Sequence, residues 1–453
     1  MEAWRSSKNA RREKVSQRFD VIPWEVIGPY AAKDAELTLR LHQLQTFRLD
    51  AGLDWLRPWV RIENEIAALI SKMTHRGLPL DVQLCRKALA ECEHLVQQSA
   101  ARLDFEPTPA AAADYFYNRE ARRPHCVTLK TAKRSVKECC VRDLIKQGSE
   151  QAVEYQIYSK LSSLQNRYYS AFLRLVGSDG RLRTDLRPDG TITGRFRSTR
   201  VNLQALPHDF RYDLGGGVRE LPHPKQLFRA PAGSRGWELD LSQAEIRVSA
   251  MVAKELNMLE AVKAGDPHGD TARRMFHVER GDLDWDKYRQ IGKTCNFSLI
   301  FGAGAETYRD YLRRTSDFIF SLAECRQIVQ DYRSIYPMYP RAIHRFSRQA
   351  QYRGYVELID GFKRFWPANE QTHKAFNAVV QGSISAILKR TMLHVEQRWP
   401  GILINNVHDS IVLECDEDFD VEPVRLSFVE IASEMVGMGM DVDCKPGLKG
   451  MDG

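Results

Sequence analysis

The sequence predicts an α+β fold in which helices dominate and a small antiparallel sheet carries acidic residues at its strand ends. Three stretches predict it. Trp237 to Arg247, WELDLSQAEIR, is a short apolar strand that ends in Asp240 and runs straight into an amphipathic helix. Ile402 to Cys415 sets two β-favouring runs, ILINNV and IVLEC, on either side of His408-Asp409-Ser410, the pattern of a hairpin whose turn presents His and Asp. Helical patterning fills much of the rest, from about Asp81 to Val176 and from Ala244 to about Gln351.

The chain has 453 residues, too many for one ordinary core, so two or more packed subdomains are expected. Lys and Arg total 66 against 59 for Asp and Glu, a formal charge of +7 that is compatible with a polyanionic partner without requiring one. The nine cysteines form no C-x-x-C pair and Cys139 adjoins Cys140, which argues against a zinc site or a disulfide framework and for a reducing compartment. MEAWRSSKNARREK has no apolar core of the signal-peptide kind, and no run of about eighteen apolar residues occurs, so neither export nor a membrane span is expected.

In chain order, Arg5, Lys8, Arg11, Arg12, Lys14 and Arg18 mark a basic tail or packing arm. A helix is expected from Pro29, YAAKDAELTLRLHQLQ, with Asp34 four residues after Tyr30 and on the same face. RIENEIAALISKMTHRGLPLD reads as a second helix closed by Gly77 and followed by an extended connection. The helical arm that follows is broken at Phe105 and around Pro124, leaving a basic, irregular tip suited equally to holding a nucleic-acid backbone and to plain scaffolding. Arg181 to Pro207 reads as a loop or short hairpin, and GGGVRELPHPK from Gly215 as a flexible connection. GYVELIDGFKRFW is a turn and strand, a helix covers His373 to Trp399, and a last helix lies near Val424 to Met435.

Two strand-borne acids far apart in sequence can converge on one sheet face and hold two Mg²⁺ ions roughly 3.5–4 Å apart. Mg²⁺ takes carboxylate oxygens and leaves room for substrate phosphates, which points to phosphoryl transfer. The helix DKYRQIGKTCNFSLIFG supplies a matching face. Arg289, Lys293, Phe297 and Phe301 recur every fourth residue, with about 6 Å of rise between neighbours, two cations toward one end and two aromatics toward the other. A nucleoside triphosphate has the same order, a polyanionic tail and then a sugar and flat base. Asn296 and the Gly302-Ala303-Gly304 end accompany this face.

These motifs resemble those of the family A DNA polymerases, the group of bacterial DNA polymerase I and many phage replicases, over roughly Tyr30 to the C-terminus. DLSQAEIR resembles the first catalytic motif, RQIGKTCNFSLIFG the nucleotide-binding helix of the fingers and NNVHDS the third motif. TGRFRSTRVNLQALP resembles the loop at the primer-template minor groove, and FNAVVQGSISAILKR a helix with a template-contacting Asn and Gln. The resemblance implies a right-hand architecture with an antiparallel-sheet palm, helical fingers and helical thumb. It divides the chain into a basic tail and exonuclease remnant at 1–49, mainly thumb at 50–190, palm at 191–249, fingers at 250–361 and palm again at 362–453.

By the same resemblance Asp240 and Asp409 ligate two Mg²⁺ ions, Mn²⁺ substituting, and the carbonyl of Leu241 completes one shell. Gln243, His268, Arg289 and Lys293 contact the incoming deoxynucleoside triphosphate, Phe297 packs on its sugar, Phe301 stacks near the templating base, and Glu245 crowds a ribose 2′-hydroxyl. Arg195, Asn377, Gln381 and His408 track the minor groove and primer end of the primer-template DNA. The primer 3′-hydroxyl attacks the α-phosphate in line, and Lys293 protonates the departing pyrophosphate. The implied setting is the cytoplasm of a bacterial or phage-infected cell.

Three positions depart from the family pattern: Ser410 replaces a Glu, Phe301 a Tyr and Ser298 a Gly. Without the Tyr hydroxyl, Glu245 must find another donor or be loosely held. YAAKDAELTLRLH resembles the last motif of a 3′-to-5′ proofreading domain, with Tyr30 and Asp34 serving a hydrolytic site. The acids such a site also needs do not occur among the residues before Tyr30, so the expectation is a chain that does not proofread alone, with Asp34 either a relic or one half of a site completed by a separate exonuclease subunit, the reading favoured here. Two alternatives stand beside the polymerase: a single-subunit RNA polymerase, which Gln243-Ala244-Glu245 and Phe297 disfavour, and a catalytically inactive DNA-holding subunit, which the intact acid pair disfavours.

Overall fold

A computed structural model describes residues 22–122, 135–188, 190–206, 211–213, 218–316, 318, 320–367 and 371–449. The basic tail before residue 21 and most of the irregular tip around Pro124 lie outside the described residues. The chain divides into two compact units, Met1–Asn64 and Glu65–Gly453.

The first unit is built on helix α1, Trp24–Arg48. It begins five residues before Pro29, where the sequence placed its start. Pro23, at φ −54° and ψ 141°, prepares the first turn, while the interior Pro29 removes only one i→i−4 hydrogen bond. Tyr30 and Asp34 share a face of this helix, and none of its residues is buried.

Helix α2 (Arg57–Arg76) runs across the boundary at Asn64 and ends as expected at Gly77, whose φ of +65° is the left-handed geometry that stops a helix. Strand β1 (Leu78–Pro79) follows and pairs with β2 (Arg181–Leu182). The helical arm between them comprises α3 (Val82–Ala101), α4 (Pro109–Asp114), α5 (Glu138–Lys146), α6 (Glu150–Leu164) and α7 (Ser170–Leu175). Asp81, Thr108 and Ser149 cap α3, α4 and α6 through their side-chain oxygens. Two apolar cores are found among the arm's described residues. Cys85, Cys92, Leu95, Leu161 and Phe172 join its base to Ile404 and Val412 of the main sheet, whereas Phe116, Leu144, Ala152 and Tyr155 form a separate core farther along it.

The main sheet is antiparallel with strand order β10-β11-β7-β12, where β7 is Ser234–Leu241, β10 Leu403–Val407, β11 Ser410–Asp416 and β12 Val442–Gly447. The hairpin β10–β11 forms where its sequence predicts. β12 is absent from the sequence reading, because DVDCKPG is charged and contains Pro446. An edge strand tolerates both, since one of its sides needs no ladder donor and charge discourages further pairing. Leu239 and Ile411 are fully buried on one face, and the register puts Ser410 and Asp443 on either side of Asp240 on the other. Small hairpins are β3–β4 (Asp185–Arg187, Arg197–Thr199), within the segment read as a loop or short hairpin, β5–β6 (Arg211–Asp213, Val218–Glu220), whose second strand falls in the expected flexible connection, and β8–β9 (Tyr355–Glu357, Lys363–Phe365), where a turn and strand are expected.

Between β7 and β10 run α8 (Ala244–Ala253), α9 (Leu256–Lys263), α10 (Pro267–Phe276), α11 (Trp285–Leu299), α12 (Ala305–Thr315), α13 (Leu322–Ile335), α14 (Met338–Arg353) and α15 (Ala375–Arg398). Buried residues run all round α15, including Phe376, Val380, Gln381, Ile384, Leu388 and Met392, so it is a core helix rather than a surface one. The last helix, α16, is Glu422–Val436. Among the described residues no helix is long and apolar enough to cross a membrane.

Candidate active site

Alternation along β7 turns Leu239 and Leu241 inward and leaves Glu238 and Asp240 on the opposite face. Asp409 follows His408 in the two-residue turn of the β10–β11 hairpin, next to the Ser410 that faces Asp240, and its carbonyl accepts from the Leu241 amide at 3.4 Å. The sheet thus brings together two acids 169 positions apart. Burial raises the Asp240 carboxyl above its ordinary value, and the charges of Asp409, Glu238 and Asp443 add to the shift. Burial raises that of Asp409 too, although Arg195 opposes it. Two half-buried acids that each resist ionisation form a site of concentrated negative potential, which suits a divalent cation. Among the described residues no group of three or more His, Cys, Asp or Glu forms a metal cage. A pair of carboxylates fits Mg²⁺, which keeps waters or substrate oxygens in its remaining positions.

The turn is held by residues that the motifs quoted without singling out. Asn406 Nδ2 donates to the carbonyls of His408 and Ser410 at 3.2 and 2.7 Å, and Gln204 accepts from the His408 amide at 2.6 Å while donating to the Asn406 carbonyl at 2.8 Å. His408 itself is at φ +52°, in the left-handed region. Ser410, where the family pattern has a Glu, places its Oγ 2.8 Å from the Val407 carbonyl and 3.2 Å from Glu238 Oε1, two acceptors for its one proton.

Glu245 lies on the first turn of α8, after Gln243 at φ +54°. It is not loosely held. Its Oε1 accepts from Gln381 Nε2 of α15 at 2.6 Å and from a terminal nitrogen of Arg195 at 3.0 Å. The same Arg195 nitrogen reaches Asp409 Oδ1 at 3.0 Å, so one guanidinium bridges the two motifs. Phe301 instead packs against Phe376 with ring centroids 6.0 Å apart. The Arg195 loop is fixed to α15 by a Ser385 hydroxyl that donates to the Gly194 carbonyl. Arg195 Nε, Gln243 Oε1, Asn377 Oδ1 and Gln381 Oε1 are buried and have no protein partner. Unsatisfied polar atoms at this density around two acids mark a surface completed by a polar ligand or by water.

The remaining predicted residues form a second cluster on α10 and α11. Gly292 allows it: a Cβ there would sit 2.5 Å from the His268 carbonyl, so only glycine lets the two helices approach this closely. Arg289 Nε donates to Asp266 at 2.8 Å, and Asp266 also caps α10 through the Gly269 amide. Lys293 is exposed on the same face of α11, and Phe297 is 43% exposed with its ring 5.7 Å from that of His268. Burial, then the charges of Lys293 and Arg289, push the His268 imidazole down to about 4. Tyr30 and Asp34 belong to the other unit.

The model of DNA polymerase family A matches residues 84–447, which takes in the arm, both acids and the α10–α11 cluster. The chain belongs to that family. Relatives include DNA polymerase I of Pseudomonas aeruginosa, 29% identical over 425 residues, and the thermostable DNA polymerase I of Thermus filiformis, 30% identical over 413 residues. These alignments cover 88% and 86% of this chain but 45% and 47% of the relatives, so the chain spans about half the length of the curated proteins it matches. In three dimensions it is similar to the POL domain of Pol1 from M. smegmatis in complex with DNA primer-template and dNTP, with a TM-score of 0.73 and 20% identity over 88% of this chain and 74% of that one. The fold is therefore that of a family A polymerase domain.

Proposed function

We propose that this family A chain is a template-directed DNA polymerase that extends a primer 3′-hydroxyl with deoxynucleoside triphosphates. The observation that carries the reading is the convergence of Asp240 and Asp409, two half-buried acids, at one end of the β7–β11 pair. Asp240, Asp409 and the Leu241 carbonyl would hold two Mg²⁺ ions, Mn²⁺ substituting. Bound there, the ions supply activation of the primer hydroxyl and charge neutralisation on the phosphates.

In this reading the protein's own groups do the following. Lys293 and Arg289 grip the triphosphate tail, and Lys293 Nζ donates a proton to the pyrophosphate oxygen as it leaves. His268 and Gln243 donate to phosphate oxygens. Phe297 lies along the sugar, Phe301 borders the templating base, and Glu245 occupies the space a 2′-hydroxyl needs. Asn377, Gln381, Arg195 and His408 line the primer-template duplex, whose polar groove edges would satisfy the buried, unpartnered atoms of Asn377, Gln381 and Arg195. For Arg195 this entails releasing Asp409 when cations bind. Residues 50–190 then act mainly as thumb, 191–249 and 362–453 as palm and 250–361 as fingers, in a cytoplasmic setting.

Primer extension with Mg²⁺, a matched template and either deoxy- or ribonucleotides tests this, with Asp409→Ala beside the parent. Deoxynucleotide extension by the parent and none by the variant is expected. Preference for ribonucleotides would make the chain an RNA polymerase, and tight DNA binding without extension by either protein would make it a DNA-holding subunit. The reading extends to α1: Tyr30 and Asp34, on one face of a helix with no buried residue, are half of a 3′-to-5′ exonuclease site completed by a separate subunit. Full proofreading by the isolated chain would refute that extension alone.

A further inference from the structure

His268 stands in the first turn of α10 with its two ring nitrogens in different surroundings. Nδ1 lies 3.1 Å from Nδ2 of Asn296, which is fully buried on the inner side of α11 between the turns that carry Lys293 and Phe297. The Asn296 amide cannot be turned over. Its nitrogen also faces the Pro267 carbonyl at 3.2 Å, a group that only accepts, and its Oδ1 takes the Tyr332 hydroxyl at 3.0 Å and lies 3.1 Å from the Thr271 hydroxyl, whose one proton has the Pro267 carbonyl closer at 2.8 Å. Thr271 is in turn hydrogen-bonded to the Tyr336 hydroxyl at 2.9 Å. Exchanging the amide's oxygen and nitrogen would set oxygen against oxygen at Pro267, and this alone fixes the orientation, because the Tyr332 and Thr271 hydroxyls can accept as well as donate. An amide nitrogen only donates, so His268 Nδ1 has to accept and carries no proton. The ring's one proton is then on Nε2.

We infer that Asn296 is a positioning residue which, backed by Thr271, Tyr332 and Tyr336, holds His268 in the Nε2–H tautomer and so keeps an N–H donor ready for a triphosphate oxygen. This rests on the reading of His268 as a triphosphate contact. Burial and the neighbouring Lys293 and Arg289 charges disfavour the imidazolium, whose Nδ1–H would oppose the Asn296 amide, while Asp266 is the acid that acts in the other direction. The helix that presents the cations therefore also sets the donor beside them, with its outer face and its inner face respectively. Gly292, one turn before Asn296, permits the close approach that this requires.

Two measurements test it. Two-bond ¹H–¹⁵N correlations of the histidine-labelled full chain, with the His268 signals identified by their loss in His268→Gln, should report a bare Nδ1 and a protonated Nε2 across about pH 6–8. A protonated Nδ1 in the parent overturns the inference whatever the activity, and needs no variant at position 296 to fold. In primer extension, Asn296→Ser should raise the KM for the deoxynucleotide on the order of tenfold, the loss of one donor to a charged acceptor, with kcat much less affected. In a His268→Gln background, where an amide donor needs no tautomer, Asn296→Ser should add less than about twofold. An undiminished penalty there would make Asn296 structural and overturn its positioning role. A parent with bare Nδ1 whose KM responds to neither substitution refutes the triphosphate reading of His268 and leaves the tautomer lock standing.

Discussion

Ribonucleotide exclusion in this chain should depend on Gln381. Glu245 takes both its named donors on Oε1, Gln381 Nε2 at 2.6 Å and Arg195 at 3.0 Å, and the aromatic at 301 packs on Phe376 instead of reaching it. Gln381→Leu keeps the volume of the side chain and removes the shorter of the two bonds. A bond to a charged acceptor contributes about 1.5–3 kcal/mol. Glu245 retains a quarter of its side-chain exposure and one donor, so the lower end applies and about 1.5 kcal/mol of orientation is lost. That corresponds to about a tenfold fall in the ratio of kcat/KM for a deoxynucleotide to that for its ribonucleotide. Single-nucleotide primer extension measures both, and the ratio cancels any general loss of DNA contact that Gln381→Leu causes. Phe301→Tyr, in contrast, should shift the ratio by less than about threefold, because the carboxylate is already anchored. A ratio that is unmoved by Gln381→Leu and strongly raised by Phe301→Tyr would refute this account of the gate.

Other outcomes follow from the same geometry. Phe297→Tyr should increase acceptance of dideoxynucleotides in chain-termination assays, since the exposed ring edge is where a sugar would lie. His268 titrates at about 4 in the fold against 6.5 for a free side chain, so the unfolded chain binds more protons between those values and stability falls as pH drops through that window. Denaturant melts at pH 7 and about 4.5 should show a loss of roughly 2–3 kcal/mol that His268→Gln removes. Arg181 makes two bonds to Glu414, at 2.8 and 2.6 Å, and also bonds the Gly77 carbonyl at 3.1 Å, so Arg181→Met strands a nearly buried carboxylate and should destabilise by about 2–3 kcal/mol in urea titrations at neutral pH. Affinity for primer-template should fall steeply with salt as phosphate contacts release counterions, measurable by fluorescence anisotropy at several ionic strengths.

Much of the site is legible in the chain because its residues sit on locally determined elements. WELDL alternates as a strand, IVLEC and ILINNV flank a turn, and the fourfold spacing of Arg289, Lys293 and Phe297 needs only helical periodicity to put them on one face, whereas α11 ends at Leu299 and leaves Phe301, expected on that face, in the turn beyond it against Phe376. The partners of those residues are not local. Arg195 is 50 positions from Glu245 and 214 from Asp409, and Gln381 is 136 from Glu245. No periodicity couples them, so a Glu245 deprived of a tyrosine hydroxyl looked unsupported in the sequence and is doubly held in the fold. β12 escaped notice for a related reason: its charges and proline are tolerable only at a sheet edge, and edge position is a property of the assembled sheet.

The sequence by itself determined the α+β class, the two acids, the cation and aromatic face of α11 and the family motifs, because each is encoded within a strand, a turn or a few helical turns. Only the tertiary structure decided what those groups face. It set Asp443 beside Asp240, one guanidinium between Glu245 and Asp409, and Asn296 against His268. Orientation, protonation and charge balance depend on neighbours a few ångströms away in space, and in this chain those neighbours lie tens to hundreds of residues away in sequence.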